Sequence, residues 1–323
     1  MPRVRWHRAS REMGDRHHYV AQFHLRGFVD PSSLVSPDPW LWFADCADGE
    51  VHRRAPKNLG WERALYDVTG AFSAPDARLE HHLAQNVEAP AATALRKFER
   101  LPAGSRGGVP PEVMRYLAWA AARTPAIRDL FQGWIDKDLD TDAPGVEAPP
   151  AWVESAADRD RPHSMEHPVH GRRDDVPADE VERLRSEGWR FLLTRDDFGE
   201  LLHVQAHYFN DRFFPRLQWL ILDAPNGEYF VIGDRPVIWG FAGALDVRPS
   251  ALRHPDAQII APLTRTIALF GFNPAGESPT AIKVQDINRA MSLGARDWIA
   301  GPTQATVLSA LAFRRSSFGD HAI

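Results

Sequence analysis

QWLILDAPNGEYFVIGD, residues 218–234, sets two apolar runs rich in β-branched and aromatic residues on either side of Asn226-Gly227. Asn-Gly accepts the positive φ that tight hairpin turns demand, so the stretch predicts two antiparallel strands joined at 226–227. Downstream, AQIIAPLT (257–264) and TIALFGF (266–272) predict two more strands with Arg265 near their turn. A helix is expected from about Val284 to Leu293, and a last strand near 305–314. No alternation of strand and helix runs through this half, and no internal repeat, which argues against a doubly wound or barrel fold.

Upstream the period changes from two to that of helices. Residues 17–30 read as an extended approach and a short helix from about Ala21. WLWFA (40–44) and EVHRR (50–54) read as a small hairpin around Gly49, followed by a loop into a strand ending near Val68. A helix then carries Leu79, Leu83, Val87, Ala94 and Phe98 on one stripe, with Ser73 and Asp76 as a capping box and a kink at Pro90. A second pattern, from Pro111 to about Leu139, is interrupted by Thr124-Pro125, an N-cap and first position for a new helix. Residues 179–194 and 196–214 form the next helical region. The expected fold class is α+β: helical N-terminal and middle parts packed with a mostly antiparallel sheet from the C-terminal half, plus a small N-terminal hairpin.

Residues 140–178 are dominated by proline and charge and read as a partly disordered insertion, with 1–15 as a flexible lead-in. The rest makes one domain. Hydrophobic residues are 44% of the chain, with 11 Trp and 17 Phe, enough for a sizeable core. A net charge of −5 lacks the basic field of a general nucleic-acid coat. Cys46 is the only cysteine, which fits a reducing cytoplasm, and no apolar run is long enough for a membrane span.

No glycine-rich phosphate loop, nucleophile elbow or paired CxxC occurs. Glu200, His203, His207 and Asp211 fall on one face of a helix opposite Phe198, Leu202, Phe209 and Phe213; this predicts a solvated polar face over a buried aromatic one. His163, His167 and His170 lie in the proline-rich segment, where a mobile chain would offer a metal no fixed geometry. His17-His18 stand just before the first helix, where an imidazole can act as acid, base or ligand. Glu80 and Glu88 are two helical turns apart, too far to chelate one ion without a large bend, although the kink at Pro90 is close by. Asp234 ends a strand at a turn, a place for a self-bonded structural carboxylate or a ligand-holding one.

Several segments together resemble the DUF4238 family. They are HHYVAQFHLRGF (17–28), Pro56-Lys57-Asn58-Leu59 with Glu62 and Tyr66, Leu79-Glu80, Val87-Glu88, Arg123-Thr124-Pro125, Ile232-Gly233-Asp234-Arg235-Pro236-Val237, Pro262-Leu263 and Asn288. Departures fall at Ala21, Gly233 and Arg235. The resemblance implies one unit from 17 to about 300 and no stated activity. It marks His17, His18, Glu62, Glu80 and Asp234 as candidate catalytic residues. Gln22, Arg26, Lys57, Asn58 and Arg123 become substrate-binding candidates, and Glu80 and Glu88 metal-ligand candidates. Carboxylates, imidazoles and guanidinium groups in this mix suit cleavage of a phosphate ester with a divalent ion, Mg or Mn. The leading expectation is an intracellular, metal-dependent hydrolase of a small-molecule or nucleic-acid phosphate substrate, a nuclease of a defence or mobile-element system being one form. The alternative is a non-catalytic protein that binds a ligand or partner with the same cluster.

Overall fold

A computed structural model describes residues 16–63, 65, 68–69, 75–76, 78–137, 152–154, 190–192, 195–241, 244–245, 254–276 and 281–318. The chain begins with β1 (Arg16–His18), α1 (Gln22–Arg26), β2 (Leu41–Asp45), β3 (Val51–Arg54) and β4 (Trp61–Arg63), then β5 (Val68–Thr69) and β6 (Pro75–Asp76). A helical layer follows: α2 (Arg78–His82), a widened turn at Leu83–Glu88, α3 (Ala89–Glu99), α4 (Pro111–Ala122) and α5 (Pro125–Lys137). β7 (Trp152–Glu154) and β8 (Arg190–Leu192) pair with each other, and α6 (Arg195–His207) leads through a second widened turn to β9 (Gln218–Asp223). β10 (Ile232–Gly233), β11 (Ile238–Phe241), β12 (Ala244–Leu245), β13 (Ala257–Pro262) and β14 (Ile267–Phe272) precede α7 (Val284–Gly294), β15 (Trp298–Gly301) and α8 (Gln304–Phe318).

Two antiparallel sheets organise the molecule. One has the order β12-β11-β13-β14-β9 and the other β10-β15-β2-β3. The N-terminal hairpin β2–β3 is therefore completed by a C-terminal strand, with Trp298 opposite Asp45 and Gly301 opposite Trp42. The described residues thus make an α+β fold. No helix among them is long and apolar enough to cross a membrane.

The stretch 218–234 is not a hairpin. β9 pairs along its length with β14, while Ile232-Gly233 belongs to the other sheet and pairs with β15. A turn does form, with Glu228 N–H donating to Pro225 O and Gly227 at φ 85°, but the chain leaving it changes sheets. The physical reason is the side chain of Asn288. Its Oδ1 accepts from Val231 N at 2.9 Å and its amide donates to Tyr229 O at 2.8 Å, so a helix side chain takes the place of a partner strand. Phe230 through Gly240 is also buried without alternation, the mark of a segment crossing the core rather than a half-exposed hairpin arm.

The expected strand at 305–314 is instead α8. Val307, Ala310 and Leu311 bury one face at helical spacing, and Thr303 Oγ1 caps the start by accepting from Thr306 N at 3.1 Å. In the region expected to be helical at 179–194, residues 190–192 are strand and the remainder lies outside the described residues. Most of the 140–178 insertion also lies outside them; its described part, 152–154, is the strand β7. Ser73 of the expected capping box is not among the described residues, and Asp76 sits in β6 before the helix begins. Pro90 falls in the first turn of α3, and the widened turn before it absorbs the carbonyl that proline cannot bond. The break at Thr124-Pro125 stands where the sequence puts it, between α4 and α5.

On α6 and the turn after it, Leu202, Ala206, Phe209 and Phe213 are buried, whereas His203, His207 and Asp211 are exposed. The side chains of Phe198 and Glu200 lie outside the described residues.

Candidate functional site

Strand alternation separates the two adjacent histidines. His17 is 2% exposed and points into the protein opposite Glu62 in the β1–β4 register, while His18 turns to the other face. His18 lines a pocket of about 310 Å³ together with Gln22, Phe23, Glu80, Ala84, Glu88, Ala89 and Ala92. The loop before β4 holds one side of this site. Val20 N–H donates to Gly60 O at 3.0 Å, and Gly60 has φ 63° with room for no Cβ, which would lie 2.8 Å from that of Val20.

The helical wall depends on the widened turn. In an ordinary α-helix every fourth residue drifts by roughly 40° around the axis. Between Leu83 and Glu88 the wider winding takes up part of that drift, so Glu80, Ala84 and Glu88 line the same pocket. The alanines leave the space that longer side chains would fill.

His18 donates a hydrogen bond to the main-chain carbonyl of Lys57. Its Nε2 lies 3.3 Å from the Gln22 side-chain amide, which makes Nε2 the acceptor nitrogen of the ring. Burial, opposed by Glu88 and reinforced by Arg123, lowers its pKa below the ordinary imidazole value.

Behind the pocket lies a buried polar chain. Arg123, 0% exposed, pairs with Glu88 at 2.7 Å and donates from Nε to Tyr19 O at 3.1 Å. Its guanidinium stands 5.7 Å from the Tyr116 ring centre. Tyr116 Oη in turn lies 3.0 Å from His24 Nδ1, and His24 Nε2 is 2.7 Å from Pro262 O. A carbonyl can only accept, so Nε2 carries the proton, and Tyr116 donates to Nδ1 of the neutral ring. Burial holds the His24 pKa down to about 4.

The structure brings His18, Gln22, Glu80 and Glu88 together, with Arg123 beneath them. The other candidates stand elsewhere. Arg123 is a support for Glu88 rather than a group facing ligand, and His17 is packed on the inner face of β1. Glu62 pairs with Arg128 of α5. Arg26 and Asn58 are exposed outside the pocket, and the Lys57 side chain pairs with Asp38 at 3.0 Å. Asp234 closes the turn into β15, accepting from Arg296 N at 2.9 Å and Asp297 N at 3.1 Å. Among the described residues no three His, Cys, Asp or Glu side chains stand together so as to hold a metal ion. Sequence reasoning missed Phe23, Tyr116 and the alanine floor; the small residues at 84 and 92, four before and four after Glu88, were the available signal.

Asp234 and His24 make opposite contributions to stability against pH. Burial of Asp234, 3% exposed, outweighs its two amide bonds and pushes its pKa up to about 6. It therefore costs the fold nothing below about pH 4 and its full penalty above about pH 6. His24 behaves in reverse: its penalty is absent above about pH 6.5, where folded and unfolded rings are both neutral, and complete below about pH 4. Each shift is worth on the order of 3 kcal/mol, so the two slopes offset between pH 4 and 6. Asp234→Asn removes one of them. Urea denaturation of this variant is expected to show a loss of about 3 kcal/mol, relative to wild type, between pH 6.5 and 4; parallel profiles would refute the assignment.

The fold and pocket define an α+β protein with a ligand-sized cleft between its first strand and a distorted helix. The family model described as "Protein of unknown function (DUF4238)" matches residues 16–304, and the chain belongs to that family. No curated protein and no solved structure matches it.

Proposed function

We propose that the pocket beside His18 binds a small ligand rich in N–H donors, and that His18 is the group there that accepts a proton. The observation that carries this reading is the orientation of His18: one nitrogen is committed to the Lys57 carbonyl, and Nε2 is the acceptor nitrogen. It takes the amide N–H of Gln22, itself a lining group of the pocket, in the place a ligand donor would share or replace. Its lowered pKa keeps the ring neutral, the form a general base needs near pH 7. Glu80 and Glu88 add acceptor oxygens, and Ala84, Ala89 and Ala92 provide a flat apolar floor. A planar body edged with N–H groups, such as an aminopyrimidine, a purine or an amidine, suits that combination. With a bound ester or amide, the same imidazole could take the proton of an attacking water, so the reading extends to a hydrolase.

Metal-dependent cleavage of a phosphate substrate is the second reading, supported by the sharing of one pocket by Glu80, Glu88 and His18. As placed, these three do not fit a resident ion: Glu88 is engaged by Arg123, and among the described residues no three His, Cys, Asp or Glu side chains are grouped so as to hold one. A phosphate would also meet two carboxylates without a cation between. A cytoplasmic setting belongs to the proposal. The lone Cys46 is half-buried with its thiol pushed up to about 12, which makes it chemically quiet in a reducing compartment.

Calorimetric titration with cytosine, adenine, benzamidine and inorganic phosphate separates the readings. The expected result is binding of at least one N–H donor probe, weakened about tenfold or more in Glu80→Gln and in His18→Gln, consistent with loss of a charge-assisted hydrogen bond. Binding of phosphate alone, dependent on added Mn²⁺ and abolished in Glu80→Gln, would replace this reading with the metal-dependent one.

A further inference from the structure

At about 310 Å³ the pocket beside His18 stands at the low end of the range for ligand sites, roughly 300–1,000 Å³. It holds a head group, and the rest of a larger ligand lies over its rim. The β1–β4 ribbon decides what that rim offers. Side chains two apart on a strand share a face, about 7 Å from one another, so Arg16 stands on the face of β1 that carries His18. Trp61, paired directly with His18, is on that face too. The exposed Arg16 guanidinium lies over the Trp61 ring, 4.2 Å from its centre. We infer that the pocket's ligand is a mononucleotide, its base against His18 and the two glutamates and its phosphate on Arg16.

Given a pocket that takes a planar body edged with N–H groups, the reading on which this rests, charge decides where the rest of the ligand goes. Glu80 and Glu88 turn an anion away from the interior, while Arg16 offers a cation at the rim. No carboxylate among the described residues is paired with Arg16, so its N–H donors are open to a ligand. Stacking on the indole fixes the plane of the guanidinium, and a fixed fork matches two phosphate oxygens at once. Behind burial and Arg123, Arg16 contributes to lowering the His18 pKa, so its charge reaches the imidazole across the short step between them. Phe23, whose ring is braced edge-on by Tyr116 at 4.7 Å, gives the pocket an aromatic surface for a base to pack on. A free phosphate has nothing for the pocket, and a bare base nothing for Arg16; a nucleotide uses both.

The test is calorimetric titration of the full chain with cytosine, cytidine and cytidine monophosphate, with the adenine series, and with benzamidine. In at least one series the nucleotide should bind about tenfold or more tightly than its nucleoside, the gain expected of a charge-assisted bidentate contact. That gain should shrink at high salt, because Arg16 is exposed. Arg16→Gln should bring the nucleotide down to the level of the nucleoside, and Arg16→Lys should keep only part of the gain, since the charge survives without the plane. A nucleotide that binds no better than its base or nucleoside, or a gain that survives Arg16→Gln, overturns this inference and leaves the pocket reading standing. If neither series binds while benzamidine does, the nucleotide falls alone; if all three fail, the pocket reading falls with it.

Discussion

Arg123→Met is expected to cost about 3–5 kcal/mol in urea denaturation, the scale on which a buried ion pair fails when one partner is removed. The guanidinium is 0% exposed and serves the Glu88 carboxylate at 2.7 Å and the Tyr19 carbonyl at 3.1 Å, besides a bond to the Tyr116 side chain. Methionine replaces the stem but leaves both acceptors without that donor. Lysine should not rescue the loss, because one ammonium on a flexible stem cannot reproduce a planar fork directed at two places. Glu88→Gln should cost less: its side chain is 22% exposed, and water can reach the freed guanidinium through the pocket. A loss below about 1 kcal/mol in Arg123→Met would show that the pair is a by-product of the fold and not one of its supports.

Phe209→Ala should match that loss, at about 3–5 kcal/mol, while His203→Ala, six residues earlier on the same helical run, leaves stability nearly unchanged. Phe209 is 2% exposed, and its ring packs against Trp239 at 5.5 Å and Phe214 at 5.7 Å, joining the end of α6 to β11 of the five-stranded sheet. Removing the ring takes away a large apolar body and leaves a cavity that stiff aromatic neighbours cannot collapse to fill. His203 gives up edge contacts with Trp119 and His207 and is otherwise exposed. Equal losses in the two variants would mean that the helix is seated the other way round.

What could be seen in the chain beforehand was mostly local. Thr124-Pro125 splits α4 from α5 because a cap and a proline act within one turn, and β13 and β14 are legible because each strand carries its own pattern. The partner of β9 was not legible. Its choice between 228–234 and β14 rests on Asn288, more than fifty residues away, whose side chain occupies the main-chain groups a hairpin would have used. Helix α8 was lost to Thr306 and Val307, which suggest strand, although Val307, Ala310 and Leu311 already carried helical spacing. At the site, the resemblance supplied His18, Gln22, Glu80 and Glu88. Alternation along β1 states only that two adjacent histidines part company, and not which faces the pocket. Arg123 enters as a substrate-binding candidate, and its place beneath Glu88 follows only from the burial of the end of α4.

The position of β15 bears on how the protein can be made. It lies between β10 and β2, and Trp298 meets Asp45 across about 250 residues of chain. On a ribosome, the hairpin β2–β3 emerges early and waits with one open edge until nearly all of the described chain has followed. Closing so long a loop adds little to the equilibrium cost but delays the sheet, since distant pairing is slow. During that wait Trp42, Phe43 and Ala44 have no strand on their second side, a state open to mispairing with other chains. Synthesis of this protein therefore carries a vulnerable interval whose length is set by translation speed.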